Sequence, residues 1–309
     1  MDRSASPDRL TLAAFAGAVI IGGGNFVAVR FSNEDLDPLW GAGIRFAAAS
    51  LLLFAIVRLR RLPLPRGRAA WGAAIYGLLG FGVSYAFLYY ALVGLEAGTS
   101  SVILASTPLV TLALAVLHGQ ERFSLKGIVG GLLAIAGIGI LSTSTLGGDL
   151  SPRYFIAALL GVVAVAESSV IVKSFPKAHP VTTNAVGMAA GASLLVVASL
   201  VGGEDWIVPR TGRTWLVLGW LVVFGSVGLF VLFLYVIGRW TASATVYAVT
   251  LMPVVAVTLG ALLADEDVTL GLVLGGGLVL LAAYVGAISQ RKPVRPADTP
   301  EPLVVAPEG

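Results

Sequence analysis

Thr107–Glu121 reads TPLVTLALAVLHGQE, and Met252–Glu266 reads MPVVAVTLGALLADE. Laid over each other without a gap, 145 positions apart, the two stretches match Pro108 to Pro253 and Glu121 to Glu266. The register holds on both sides: it pairs Gly80 with Gly225, Tyr90 with Tyr235, Leu125 with Leu270, and Gly130-Gly131 with Gly275-Gly276. Leucine and glycine coincidences are cheap in apolar sequence, but a proline, a glutamate and a tyrosine in one register are not. Toward the start of each half the offset shortens slightly, setting Pro38 against Pro180 and the Arg30 end against Lys173. The chain is therefore an internal duplication.

What is duplicated follows from composition. Of 309 residues, 57% are hydrophobic and only 12% charged, where a soluble domain carries roughly 25% charged residues. Mean hydropathy is +0.91. An ordinary soluble domain is excluded, and so is a disordered chain, because such apolar segments do not stay solvated. The 38 glycines follow no Gly-X-Y period, which excludes a collagen-like chain. Cysteine is absent and there are two histidines, so disulfides, thiolate metal sites, cysteine nucleophiles and His-rich zinc sites are unavailable. No catalytic residue, metal or cofactor is expected. The net charge of +3 comes without a basic, aromatic-interleaved patch, so no nucleic-acid partner is expected either. Without a Walker A motif, transport is not directly driven by ATP.

A bilayer core about 30 Å thick needs roughly 20 apolar residues in a helix. Ten such stretches occur, approximately Leu10–Phe31, Pro38–Val57, Ala70–Leu92, Thr99–Leu117, Leu125–Ser142, Arg153–Phe175, Val181–Val201, Trp215–Ile237, Ala242–Ala264 and Leu270–Ser289. The first lacks a small-residue cleavage site and is read as retained. Basic loop residues stay in the cytoplasm. Fifteen of the 20 Lys and Arg fall on the N-terminal side, among them Arg58, Arg60, Arg61, Lys173 and Lys177. Arg30, Arg153, Arg210 and Arg213 lie opposite, and Arg45 lies inside a span. Both termini are thus expected in the cytoplasm, and the other face is acidic. Five helices per repeat is an odd number, so the second copy enters from the opposite side. The fold class is an all-α integral membrane protein of ten transmembrane helices in two inverted five-helix repeats, the layout of secondary transporters. The expected division is 1–9 as a cytoplasmic segment, 10–143 and 152–289 as the repeats, 144–151 as an extracytoplasmic linker, and 290–309 as a disordered cytoplasmic tail.

The sequence resembles the ten-helix, EamA-type family of the drug/metabolite transporter superfamily from about Leu10 to Ser289. The residues carrying the resemblance are Gly24-Asn25-Phe26-Val27 with Arg30, Pro38 followed by Arg45-Phe46, Pro108 with Glu121, and Pro253 with Glu266. Where many members carry Trp just before the Gly-x-Asn-Phe stretch, this chain has Gly22-Gly23. The resemblance implies a central cavity between helices 1–4 and 6–9, with helices 5 and 10 peripheral. It also implies export of small metabolites or amino acids.

Charge inside hydrocarbon needs a reason, because insertion costs about 2.5–3.5 kcal/mol per group. Glu167 lies about 21 Å into the sixth span. It is a candidate for substrate amine binding or proton coupling, with a protonated, hydrogen-bonded glutamate as the plain alternative. Arg45, about 10 Å below the outer surface, either clamps a substrate carboxylate or ties the outer ends of the first two helices together. Their repeat counterparts, Glu167 to Gly24 and Arg45 to Gly187, are uncharged. Pro108 and Pro253 each remove a backbone donor in mid-span and are candidate hinges. Tyr85 and Tyr89 share a helix face with Phe81, and Tyr247 and Asn25 are further candidates for substrate binding. Glu121, Glu266 and His118 are expected at helix ends, the glutamates interfacial and the histidine solvated. The Gly127-xxx-Gly131, Gly187-xxx-Gly191 and Gly271-xxx-Gly275 patterns permit close helix approach, within the chain or at a dimer contact.

The expected function is a secondary transporter in the inner (cytoplasmic) membrane, exporting a small organic metabolite, an amino acid above others, by alternating access. Its partners are the small-molecule substrate, the lipid bilayer and, if flux is coupled, protons; the chain is expected as monomer or homodimer. The alternatives are an exporter of lipophilic drugs or cations and an intramembrane enzyme or lipid-modifying protein.

Overall fold

A computed structural model describes residues 9–121, 125–146, 152–237, 239 and 242–288. These form ten helical segments and no strand among the described residues. In chain order they are α1 (Arg9–Ser32), α2 (Pro38–Leu59), α3 (Arg68–Gly94), α4 (Ala97–Leu117), α5 (Leu125–Leu146), α6 (Pro152–Ser174), α7 (Pro180–Gly202), α8 (212–237), α9 (Ala242–Leu263) and α10 (270–288). Seven of the ten (α1–α4 and α6–α8) are each long and apolar enough to cross a membrane, and α5, α9 and α10 have shorter apolar described stretches. The predicted spans agree with these bounds to within three residues at either end for nine of the helices; α5 runs further, to Leu146.

Local chemistry fixes the ends. Pro38 and Pro180 open α2 and α7, where a missing N–H costs nothing. Gly203, at φ 70°, closes α7 in the left-handed conformation. Thr269 starts α10 by accepting from the Leu272 N–H at 3.1 Å.

The duplication is visible in the packing. α2 runs along α7, and α5 along α10, so each of these pairs maps onto itself when the repeats are exchanged. α1 packs on α8 and α9, just as α6 packs on α3 and α4. α3 turns π-helical over Leu78–Val83 and α8 over Val223–Gly228, the same positions 145 residues apart. At Gly80 an added Cβ would stand 2.9 Å from the Ser168 Oγ of α6, and at Gly225 one would stand 2.2 Å from the Asn25 Oδ1 of α1. Ser168 and Asn25 are themselves repeat counterparts. Each π segment thus receives a polar side chain from the first helix of the other repeat.

The symmetry is broken in two places. α4 is interrupted after Leu104 and resumes at Thr107, with Pro108 in the first turn of its second half. α9 continues through Pro253 without interruption. On the end of the molecule that carries the basic loops, α3 meets α7 backbone to backbone: a Cβ on Gly77 would lie 2.0 Å from the Gly187 carbonyl oxygen. The counterpart positions at the acidic end are Val222 and Arg45. α5 and α10 approach through Gly130 with Gly286 and Gly137 with Gly275, while Gly131 has open space beside it.

Candidate functional site

A cavity of about 100 Å³ lies where the two repeats meet. Six helices wall it: α1 with Gly22, Asn25, Phe26 and Val29, α2 with Arg45, α3 with Tyr85, Leu88, Tyr89 and Leu92, α4 with Leu104, α8 with Leu229, and α9 with Met252. The structure therefore brings together Asn25, Arg45, Tyr85 and Tyr89 of the residues singled out from sequence. Met252 takes the room left by Gly22-Gly23, since a Cβ on Gly22 would fall 2.2 Å from its terminal methyl.

Arg45 is 1% exposed. Its Nε donates to Ser226 Oγ at 3.0 Å, its Nη2 to the Gly225 carbonyl at 3.0 Å and its Nη1 to the Tyr89 hydroxyl at 3.3 Å. The guanidinium also lies 5.4 Å from the centre of the Tyr85 ring and 5.1 Å from that of Phe46, within cation–π range. The π-helical turn of α8 makes this possible. Its shifted bonding presents the Gly225 carbonyl sideways, and that oxygen accepts from both Arg45 and, at 3.0 Å, Asn25 Nδ2. Ser226 Oγ is held by its own bond to the Leu221 carbonyl at 2.9 Å. Two features are left over. The guanidinium meets only neutral acceptors, with no carboxylate in the cavity wall among the described residues. Asn25 Oδ1 is buried and has no donor among the described residues.

Glu167 does not join this group. It lies toward the basic end of α6, where its Oε1 is 3.2 Å from His118 Nε2 at the end of α4. His118 is exposed at the helix end, as expected, and is also partnered, its Nδ1 lying 2.9 Å from the Leu114 carbonyl. The depth of Glu167 along its helix is set by sequence, but its rotation toward α4 rather than the cavity is set by packing. Neither proline lines the cavity; the Leu104 residue that does precedes the α4 interruption. Tyr247 falls in α9, and its side chain lies outside the described residues.

The acidic end is closed by side chains that reach between repeats. Glu266, read from sequence as interfacial, is 9% exposed and caps α4: its carboxylate accepts from the Ala97 N–H at 2.8 Å and the Gly98 N–H at 3.2 Å, and binds Arg30 Nη1 at 2.6 Å. Glu204 caps α2 in the same way, accepting from the Leu39 and Trp40 N–H groups at 3.0 and 2.8 Å. Both carboxylates sit at positive helix ends, where an anion is stabilised. Trp40 stacks on Trp206 with centroids 4.7 Å apart, and Arg213 pairs with Glu34 at 2.9 Å. Asp35 accepts from the Thr214 hydroxyl and the Arg210 N–H, bonds that lower its carboxyl pKa. Glu96 goes the other way: partial burial, then the neighbouring Glu266 charge, push its carboxyl up.

A cavity walled by six helices drawn from two inverted repeats, with one buried cation in an otherwise neutral wall, defines a membrane transporter. The EamA-like transporter family matches this chain twice, over residues 9–143 and 153–287, and the chain belongs to that family. It is 32% identical over 286 residues to the inner membrane transporter YedA of Escherichia coli (strain K12), covering 91% of this chain and 92% of YedA. It is 25% identical over 290 residues to a protein of the same organism named a probable amino-acid metabolite efflux pump, covering 88% of this chain and 93% of the other. A solved structure with 18% sequence identity shares the fold at a TM-score of 0.63, over 91% of this chain and 97% of that one.

Proposed function

We propose that the chain is a secondary transporter of the inner membrane, with its basic face and both termini in the cytoplasm, that exports a carboxylate-bearing metabolite, an amino acid, by alternating access around the Arg45 cavity. The observation that carries the reading is the buried guanidinium without a carboxylate. An ion taken out of water is costly unless an opposite charge compensates it, and a solute carboxylate brings that charge in the planar geometry arginine favours. Asn25 Oδ1 offers an acceptor to the solute ammonium, and the remaining wall is apolar or aromatic. The names of the relatives support transport and, for one, amino-acid efflux. The same positive charge disfavours the alternative of a lipophilic-cation exporter.

The test is counterflow of a panel of labelled amino acids into proteoliposomes. Wild type accumulates at least one of them, and Arg45→Gln lowers that flux about tenfold or more, the loss of one charge-assisted contact. Because Arg45 also ties α2 to α8, thermal melting is read alongside: the solute raises the wild-type Tm and leaves that of the variant unchanged. Equal flux, or equal protection, in Arg45→Gln overturns the reading.

Glu167 we assign to proton coupling and not to solute contact, since it faces His118 across the α4–α6 contact. Glu167→Gln is expected to keep solute counterflow and lose the acceleration by a pH gradient. Gradient-driven flux that survives the substitution removes Glu167 from the coupling.

A further inference from the structure

A second cavity, of about 460 Å³, opens at the basic face between the start of α3, the α6–α7 connection and the first turns of α7. The charged residues in its lining are Lys173 and Lys177, and no acidic residue shares it. Neither ammonium has a carboxylate within ion-pair distance among the described residues. Asn184 also lines it and is only 8% exposed. Its Nδ2 donates to the Pro180 carbonyl at 3.0 Å, which leaves its Oδ1 without a donor among the described residues. Tyr76 and Asn184 mark the deep end, and the Gly77–Gly187 contact of α3 with α7 lies immediately beyond them.

Exchange of the repeats carries Gly72, Tyr76 and Asn184 onto Val217, Leu221 and Ala42. There the same space is filled: Leu221 and Ala42 are fully buried in the core, and Arg213 covers Phe31 at 4.0 Å. The opening and its polar groups therefore belong to one repeat interface alone, and symmetry did not impose them.

We infer that this cavity is a loading site on the cytoplasmic face for the exported solute. The solute carboxylate sits between Lys173 and Lys177, its ammonium reaches Asn184 Oδ1, and its side chain lies against Phe175 and Pro176. The α3–α7 contact at its floor separates it from the path to the Arg45 cavity. The inference rests on the proposed export of a carboxylate-bearing solute. A phospholipid phosphate would satisfy the lysines equally; the Asn184 Oδ1, an acceptor open to the cavity and without a donor among the described residues, favours the solute, which carries a donor beside its carboxylate.

The experiment is equilibrium binding of radiolabelled leucine to the full chain in phosphatidylcholine nanodiscs. Two sites per chain are expected. Lys173→Gln with Lys177→Gln, or separately Asn184→Leu, weakens one of them about tenfold and spares the other, which Arg45→Gln removes. If the lysine and asparagine variants bind as wild type while Arg45→Gln loses its site, the loading site is wrong and the central site stands. Lysine-dependent binding of inorganic phosphate or of phosphatidylglycerol with no second leucine site also overturns it, as does absence of all leucine binding, while the central reading is decided by the counterflow panel.

Discussion

Glu96 and Glu266 stand at one helix start and carry opposite roles. Glu266 accepts two α4 amides and Arg30, whereas Glu96 makes no capping bond and lies beside it as a second negative charge. A carboxyl whose pKa is raised on folding binds its proton more tightly in the folded state, so it opposes folding once the pH has passed that raised value. Glu96→Gln should therefore raise the Tm at neutral pH, and the gain should fade as the pH falls toward 4.5, the ordinary value. A pH-independent gain would assign the effect to something other than the charge. At this scale the sequence was informative where polar groups are rare. Asn25, Arg45, Tyr85 and Tyr89 stand out in apolar spans, and four such groups do converge. Gly225 and Ser226 gave no such signal, because small residues are everywhere in this chain and only the π turn gives these two a task. Glu167 stood out equally, yet a helix can turn such a side chain toward any neighbour, and here it turned toward His118.

The helices themselves were legible because hydrocarbon demands about 20 apolar residues per crossing. Their irregularities were not. Pro108 and Pro253 match in sequence, but only α4 is interrupted. Ser106 and Thr107 return their hydroxyls to the carbonyls of Ile103 and Leu104 at 2.7 and 2.5 Å, which supports the interruption; their counterparts Leu251 and Met252 have no hydroxyl to give. The α3–α7 crossing depends on the absence of side chains. In Gly77→Ala the new methyl would stand 2.0 Å from the Gly187 oxygen, a backbone atom that cannot swing away. A loss of about 1–3 kcal/mol is expected from such overpacking, measured as a lowered thermal midpoint in detergent, whereas Gly131→Ala on α5, with open space around it, should be neutral. Similar midpoints for the two variants would mean that the crossing is looser than its geometry.

Across the whole molecule, the acidic end is held shut by pairs that join the α1–α2 connection to the α7–α8 connection. Alternating access requires those pairs to part. The chain has no cysteine, so Glu34→Cys with Arg213→Cys, whose native side chains meet at 2.9 Å, adds the sole thiols. A short thiol-reactive cross-linker is expected to abolish flux in that variant and in neither single one, with recovery when a cleavable linker is reduced. Undiminished flux would show that this end does not move. The two ends are built differently, glycine backbone against glycine backbone at one and caps and ion pairs between the repeats at the other, so symmetry does not hold the inward-facing and outward-facing states of the proposed cycle to one free energy. With the pH gradient collapsed, an inequality between the two states drives nothing. Microscopic reversibility fixes the ratio of maximal rate to half-saturation at one value for both directions. The mismatch would then be felt only under load, as a carrier that fills at different concentrations from its two sides and is even-handed when solute is scarce.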